Sequence, residues 1–436
     1  MKLVFLLTYD VTYEHEHPFT RKVIQALIPE MIKRNHTIVF GTIKKGNDNV
    51  VEEDESIEGI GSYTLTVPAS YGFRELVDAT KNFINFLNPD IVHSNIAETF
   101  DIAASRELDI PIVNTVHIGG MVCPLGGGAG FLKYDGTLCR QPVSSQCERC
   151  LEHKLPLPAF AHMARALSPV WIRRKINAFL QASNKRILYI SPLLAIDNVC
   201  DATREKIDIL RYSHLIAGCK KLVELLDMNG LSEKVHLIPH GVSDDSCRST
   251  PDIKDKVKFY YVGRLDESKG TEDLLNAFLK LDTDSAELHI IGDPGGKNVK
   301  NERLMNKYKS IGNRTNIFFY GRLPHADITG LVKDFHVMVH SARYLEVYGI
   351  SIAEALGMGH PVIATKCGGA EMQIVDGENG WLVEPNNVSS LYDKMKYVVE
   401  HPGLIADASR KCKIPHPMPE YIERLIDLYV SIIKKR

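Results

Sequence analysis

Two carboxylates, Glu346 and Glu354, stand with seven residues between them in the stretch RYLEVYGISIAEALGMGHPVIAT, which runs from Arg343 to Thr365. Tyr348-Gly349-Ile350-Ser351 lies between them, and good helix formers follow. Gly349 allows close approach of a backbone or a ligand. A helix starting behind it leaves the amides of Gly349, Ile350 and Ser351 at a helix N-terminus, where unsatisfied N–H groups and the helix dipole favour an anion. A phosphate suits that place. Glu346, just outside the helix, can accept hydrogen bonds from hydroxyls of a group carried on the phosphate. Glu354, about one turn in, can meet a second polyol. Two carboxylates bracketing a phosphate suit a nucleotide sugar, one for the sugar and one for the ribose. An isolated pair at this spacing has a plainer meaning, a solvated loop residue and a favourable first-turn charge, so its neighbours must decide.

Those neighbours exist. In YYVGRLDESKG a strand end is followed by Gly263 and Arg264, and five residues later by Lys269 and Gly270. Arg through its planar fork and Lys as a point charge can neutralise a pyrophosphate. CGGAEMQIVDGENGWLV supplies a glycine pair, Glu371 and a turn leading into a strand.

The elements that must position these residues follow an alternating plan. KLVFLLTY, HTIVFGTI, DIVHSN, PIVNTVH and RILYIS read as strands, with helical patterns between them. Phe19 to Arg34 keeps apolar residues at i, i+3, i+4 spacing, with Pro29 inside. Near Ile238 to Lys258 the composition turns polar and proline-bearing, as a linker does. The alternation then restarts with KFYYVGRL, ELHIIGD, NIFFYGRL, VMVHSA and PVIAT. Such alternation predicts parallel sheets covered on both faces. Two doubly wound α/β domains facing a central cleft are expected, with ligands beyond the carboxyl ends of the strands. The closing PEYIERLIDLYVSIIKK predicts a helix with Ile422, Leu425, Ile426 and Tyr429 on one face.

From about Val257 to Val399 these segments, in their order and spacing, resemble the retaining glycosyltransferases of family 4, which have the GT-B fold. The resemblance implies an acceptor-binding domain of residues 1–245 plus 415–436 and a donor-binding domain of 246–414, the terminal helix crossing back onto the first. It implies that Arg264 and Lys269 bind the donor diphosphate and that Glu346 contacts the donor sugar. Glu354 would hold the ribose, with Gly263, Gly349, Ile350 and Ser351 around the phosphates and Arg322 near the base. His117, in NTVHIGG, matches a family position near the reacting sugar; a histidine at a strand end is otherwise often structural. The first half departs from the family pattern: YDVTYEHEHPFTRK, after the first strand, has no glycine where the family has a glycine-rich loop. The implied reaction moves a sugar from a nucleoside diphosphate, UDP by family frequency, to an acceptor hydroxyl with retention and without a catalytic metal. Asp282-Thr283-Asp284 imitates a metal-binding D-x-D but reads as a loop away from the phosphate site. His15 and His17 are too few ligands for a metal site. A nucleotide-sugar 2-epimerase of similar fold, or a non-catalytic nucleotide-sugar-binding protein, are the alternative readings.

Cys123, Cys139, Cys147 and Cys150 share one glycine-rich loop, CPLGGGAGFLKYDGTLCRQPVSSQCERC. C-x2-C is a half-site for tetrahedral zinc, so the loop holds either a structural zinc or free thiols, with a disulfide less fitting. The formal net charge of −2 gives no reason to expect nucleic acid as partner. The apolar run of MKLVFLLTYD is far shorter than the ~20 residues of a spanning helix and does not compose a signal peptide. A cytoplasmic protein is expected, its nine cysteines reduced or metal-bound. From Leu155 to Asn184, Trp171 lies near Arg173, Arg174 and Lys175. This is a domain helix with a basic edge or a peripheral membrane contact, which leaves glycan, lipid-linked and small-molecule acceptors open.

Overall fold

The computed structural model describes residues 1–9, 18–54, 60–96, 98–117, 121–126, 131–144, 146–154, 163, 167–169, 171–173, 175–176, 195–243, 248–249, 253, 255–281, 284–293, 306, 310–311 and 316–436. His15, His17, Gly119, Gly120 and the expected strand RILYIS lie outside the described residues, as do Asp282 and much of Leu155–Asn184.

The first sheet has eight strands in the order β3-β4-β2-β1-β5-β6-β7-β8. They are β1 Lys2–Tyr9, β2 Thr37–Gly46, β3 Val50–Glu53, β4 Ser62–Pro68, β5 Ile91–Ser94, β6 Ile112–Thr115, β7 His214–Ala217 and β8 Val235–Leu237. Only the β3–β4 pair is antiparallel. The second sheet is wholly parallel, in the order β11-β10-β9-β12-β13-β14. Its strands are β9 Val257–Val262, β10 Ala286–Ile291, β11 Ile317–Gly321, β12 Val337–His340, β13 Val362–Thr365 and β14 Gly380–Val383.

Strand pleating explains why the central strands are apolar almost throughout. Successive side chains point to opposite faces, and both faces are covered. In β1, Leu3 and Phe5 join one core while Val4 and Leu6 join the other. In β9, Phe259 and Tyr261 face one core, Tyr260 the other. Four cores thus flank two sheets.

The last helix, Met418–Lys434, belongs to the first domain's packing. Tyr421, Ile422, Leu425, Ile426 and Tyr429 repeat at i, i+3, i+4 and bury against Leu3, Phe5 and Phe40. Its Tyr429 hydroxyl lies 2.5 Å from His93 Nδ1 beneath the sheet, and His93 Nε2 lies 2.7 Å from Thr115. The two chain crossings between the domains pair with one another. Val242 donates to His416 O at 3.0 Å and Met418 donates to Val242 O at 3.0 Å. A second seam is apolar: Leu345 and Val347, from the loop after β12, sit in the first domain's core. Among the described residues no helix is long and apolar enough to cross a membrane.

Candidate active site in the interdomain cleft

The residues between β12 and the helix Ile350–Gly357 form a loop that bends at Tyr344, Val347 and Tyr348 and is tied at Glu346 to the loop after β13. Glu346 N donates to Cys367 O at 2.9 Å and Gly369 N returns to Glu346 O at 2.8 Å. A Cβ at Gly369 would stand 2.1 Å from Tyr348 O, so only glycine admits this approach. Gly349 then turns the chain into the helix at φ 82°, a left-handed value that glycine adopts without strain. The glycine pair Gly368-Gly369 and Gly349 are therefore geometric requirements of one turn.

On this frame Glu346 is buried and its Oε2 collects three partners. Lys269 Nζ lies 2.5 Å away, the Tyr344 hydroxyl donates at 2.9 Å, and His340 Nε2 lies at 3.4 Å. Lys269 Nζ also donates to Tyr344 Oη at 2.9 Å. Burial is the largest influence on Glu346 and pushes its carboxyl up. The Lys269 ammonium and His340 together outweigh it and hold the carboxyl well below the usual carboxylate range. Lys269 mirrors this: burial lowers its pKa, and Glu346, Tyr344 and Tyr261 more than restore it. The result is an ionised pair in a largely desolvated pocket, placed by the turn after β9 and the loop after β12.

Glu354 lines a pocket together with Ser351, Val262, Tyr260 and His325, among others. His325, the first residue of the helix His325–Val332, brings Nε2 to 2.8 Å from Glu354 Oε1. Arg322 is exposed in the loop after β11, three residues earlier. Arg264 follows β9 with its side chain 54 % exposed, and pairs with Asp266 at 3.4 Å. Its carbonyl accepts from the Tyr261 hydroxyl at 2.6 Å, which fixes the loop carrying it.

The first domain contributes at the carboxyl end of β6. His117 Nε2 is hydrogen-bonded to Asn95 Oδ1, just past the end of β5. Its ring stacks on His240 at 5.5 Å. His240 meets Tyr348 edge-on at 5.6 Å, and Tyr348 Oη lies 3.0 Å from His416 Nδ1. Burial, with His117 next, lowers the His240 pKa to about 3. The ring is therefore neutral at physiological pH. Near the glycine pair Lys221 bridges the domains, donating to Glu371 Oε1 at 2.9 Å and to Lys366 O at 2.9 Å.

Glu346 and Lys269 thus meet directly, while Glu354 stands about one turn into the Ile350–Gly357 helix that follows Glu346 and His117 lies on the opposite domain, linked through His240 to Tyr348. Tyr344, His340, His325, His240 and Lys221 complete the cleft without having been singled out in the sequence. Tyr344 was within reach, since it stands only two residues before Glu346 in the chain. The other four carry no local signal, because only the sheet order brings their elements together.

Among the described residues no group of three or more His, Cys, Asp or Glu side chains converges closely enough to hold a metal ion. Cys123, Cys139, Cys147 and Cys150 are free thiols and partly buried. They are nonetheless neighbours. Burial pushes the Cys123 thiol up, and Cys139 and Cys147 add to it; Cys139 is raised by burial and also by Cys147 and Cys150.

Residues 243–413 match the family model of group 1 glycosyl transferases. An uncharacterized glycosyltransferase of Methanocaldococcus jannaschii is 26 % identical over 215 residues, covering 47 % of this chain and 54 % of that protein. The mannosylfructose-phosphate synthase of Agrobacterium fabrum is 26 % identical over 203 residues, 43 % of this chain and 44 % of the relative. The D-inositol 3-phosphate glycosyltransferase of Corynebacterium diphtheriae is 30 % identical over 145 residues, 32 % of this chain and 34 % of the relative. The chain thus spans about half or less of the length of these curated relatives. Whole-chain likeness comes from solved structures. The Anabaena protein Alr3699/HepE, in complex with UDP and glucose, aligns over 99 % of this chain and 100 % of its own, with TM-score 0.65 and 15 % identity. Sucrose-phosphate synthase from Thermosynechococcus elongatus aligns over 100 % of both, with TM-score 0.66 and 15 % identity. The fold is GT-B, as the sequence resemblance implied, and the second domain is similar to group 1 glycosyl transferases.

Proposed function

We propose that this protein transfers a sugar, with retention of anomeric configuration, from a nucleoside-diphosphate sugar to an acceptor hydroxyl. The observation that carries the reading is the buried Glu346–Lys269 pair, with Glu346 two residues ahead of Tyr348 and the amide-bearing turn into the Ile350–Gly357 helix. In this reading the amides of Gly349, Ile350 and Ser351 face the diphosphate, with Gly263 leaving room for it and the exposed Arg264 closing on it. Lys269 has two tasks. It keeps Glu346 ionised, and it adds positive potential beside the phosphates. Glu346 Oε1, which makes none of the three contacts above, accepts from the donor sugar. Glu354 exchanges His325 for the ribose hydroxyls, and Arg322 lies toward the base. His117 reaches the reacting sugar from the acceptor domain, held in one orientation by Asn95 and His240.

Bond breaking places charge on the leaving diphosphate, and fixed amides and cations stabilise that charge best in a water-poor site. The departing phosphate oxygen takes the acceptor's proton, so no separate base is needed on this face. The complexes of Alr3699/HepE with UDP and with UDP-glucose support a uridine donor here. Glycan, lipid-linked and small-molecule acceptors each remain compatible with a cytoplasmic enzyme of this kind, working without a catalytic metal.

The test is a thermal-shift panel of nucleotide sugars, since a ligand that binds the folded state raises its melting temperature. Turnover of the best donor with candidate acceptors follows, with product anomers assigned by NMR. Stabilisation by a UDP-sugar and an α-product from an α-donor are expected. No stabilisation by any nucleoside diphosphate, or an inverted product, would sink the proposal. Conversion of the donor without an acceptor would favour the epimerase reading.

A further inference from the structure

Tyr348 stands immediately ahead of Gly349 and is 1 % exposed. Its backbone and its ring belong to different neighbourhoods. The carbonyl is held inside the second domain, where Gln373 Nε2 donates to it at 2.5 Å. The ring reaches the two chain crossings between the domains. It meets His240 edge-on at 5.6 Å and His416 at 5.6 Å, and it packs with Val242 and Ala353. Its hydroxyl lies 3.0 Å from His416 Nδ1.

His240 and Val242 lie on one crossing and His416 on the other, and the two are bonded to each other through Val242, His416 and Met418. Both are also fastened to the last helix. A Cβ at Gly241 would stand 2.6 Å from Tyr421 Cβ and 2.8 Å from Met418 Cα, so only glycine admits this approach. Arg424 donates to Leu237 O at 2.6 Å. Because the last helix is part of the first domain's core, the crossings at this point move with that domain. From His240 the contacts continue to His117, whose ring stacks on it at 5.5 Å. Burial pushes the Tyr348 phenol up, and burial with Arg424 next pushes the His416 imidazole down. The contact therefore joins a neutral phenol to a neutral imidazole, and a hydroxyl so enclosed needs its partner.

We propose that Tyr348 is a positioning residue for the transfer: through His416 and His240 it sets the register between the amide turn at Gly349 and His117. This inference rests on the transfer reading and names what aligns its two halves. Tyr348 touches no reacting atom. Packed interfaces hold discrete arrangements rather than sliding continuously. The hydroxyl bond thus fixes where His117 stands relative to a diphosphate at the Gly349 turn. Without it the donor-binding groups stay in place while His117 and the acceptor shift from the reacting carbon, and a misplacement of about 1 Å can cost on the order of 100-fold in rate.

The probe is UDP, added to the full chain labelled at its histidine Cε1 carbons for NMR, with the His240 and His416 signals assigned by His240→Gln and His416→Asn. In the wild type UDP should move both signals. In Tyr348→Phe calorimetry should give a UDP dissociation constant within about threefold of wild type, while the two signals no longer respond and kcat for transfer falls by about tenfold or more with donor KM little changed. His416→Leu should behave like Tyr348→Phe and serves in its place should that variant fail to fold. His416→Asn, which keeps a polar atom near the Nδ1 position, should restore kcat and the His240 response. The inference is overturned if UDP binds the wild type without moving either signal. It is overturned equally if Tyr348→Phe and His416→Leu lose melting temperature but keep the wild-type kcat and the His240 response. A wild type that does not bind UDP at all would instead remove the uridine-donor reading, and this inference with it.

Discussion

Removing the Lys269 ammonium tests the centre of the site through stability alone, before any substrate is known. Lys269 Nζ and Glu346 Oε2 are 2.5 Å apart, with side chains 19 % and 14 % exposed. At an effective dielectric near 20, two unit charges at that distance attract by about 6–7 kcal/mol. Desolvation of both ions offsets much of this. Deleting one partner of such a pair nevertheless costs about 3–5 kcal/mol, because the other charge is left buried alone. Lys269→Met is therefore expected to destabilise the second domain by about 3–5 kcal/mol near neutral pH. The sign with pH follows from the carboxyl. In the wild type Glu346 has a folded pKa below its unfolded value of about 4.3. Its contribution is therefore full above that value and is lost as pH falls through the depressed folded pKa. In the variant burial, the largest influence, is opposed by His340 alone, so the folded pKa rises above about 4.3 and the penalty shrinks as pH falls through that folded value toward 4.3. The difference between the two proteins must narrow from pH 8 toward pH 5. Glu346→Gln on top of Lys269→Met should recover most of the loss at neutral pH. Urea unfolding followed by tryptophan fluorescence reads the right domain: Trp381 is buried there, and the only other tryptophan, Trp171, is already 61 % exposed. A penalty that does not vary with pH, or a double variant no more stable than Lys269→Met, would show that the two charges are not coupled as described.

Three further outcomes are expected. Glu354→Gln weakens nucleotide binding about tenfold, or about 1.4 kcal/mol, in titration calorimetry with UDP, and unaltered affinity would remove Glu354 from the ribose. Gly349→Ala forces a side chain into the left-handed region at a cost of roughly 1–2 kcal/mol, and its Cβ stands 3.0 Å from Ile352 Cδ1; both the melting temperature and donor affinity should fall. Lys221→Met breaks the bridge to Glu371 between the domains, a pair exposed enough to be worth below about 1 kcal/mol. Melting should hardly move, while hydrolysis of the donor rises relative to transfer, because the cleft closes less firmly.

The sequence by itself determined the strand–helix alternation, the break between two sheets, the apolar stripe of the last helix and the turn at Gly349. All of these are local, set by side-chain periodicity and by the backbone freedom of single residues. β3, β7 and β8 escaped notice, since three or four residues carry too few positions for a pattern to emerge, and so did the seven-residue β4. Tertiary structure alone decided that Lys269 closes on Glu346, that His325 closes on Glu354, and that His240 stacks behind His117. These contacts join residues 29 to 123 positions apart in the chain (His325–Glu354, 29; Lys269–Glu346, 77; His117–His240, 123), and His117 meets Asn95 across 22. Their cause is the parallel order of β9 beside β12 and of β5 beside β6, which lines up strand ends that sequence keeps apart. The same holds for Leu345 and Val347, apolar residues that fill the core of the other domain. Periodicity reports that a residue will be buried, and only the packed chain reports against what.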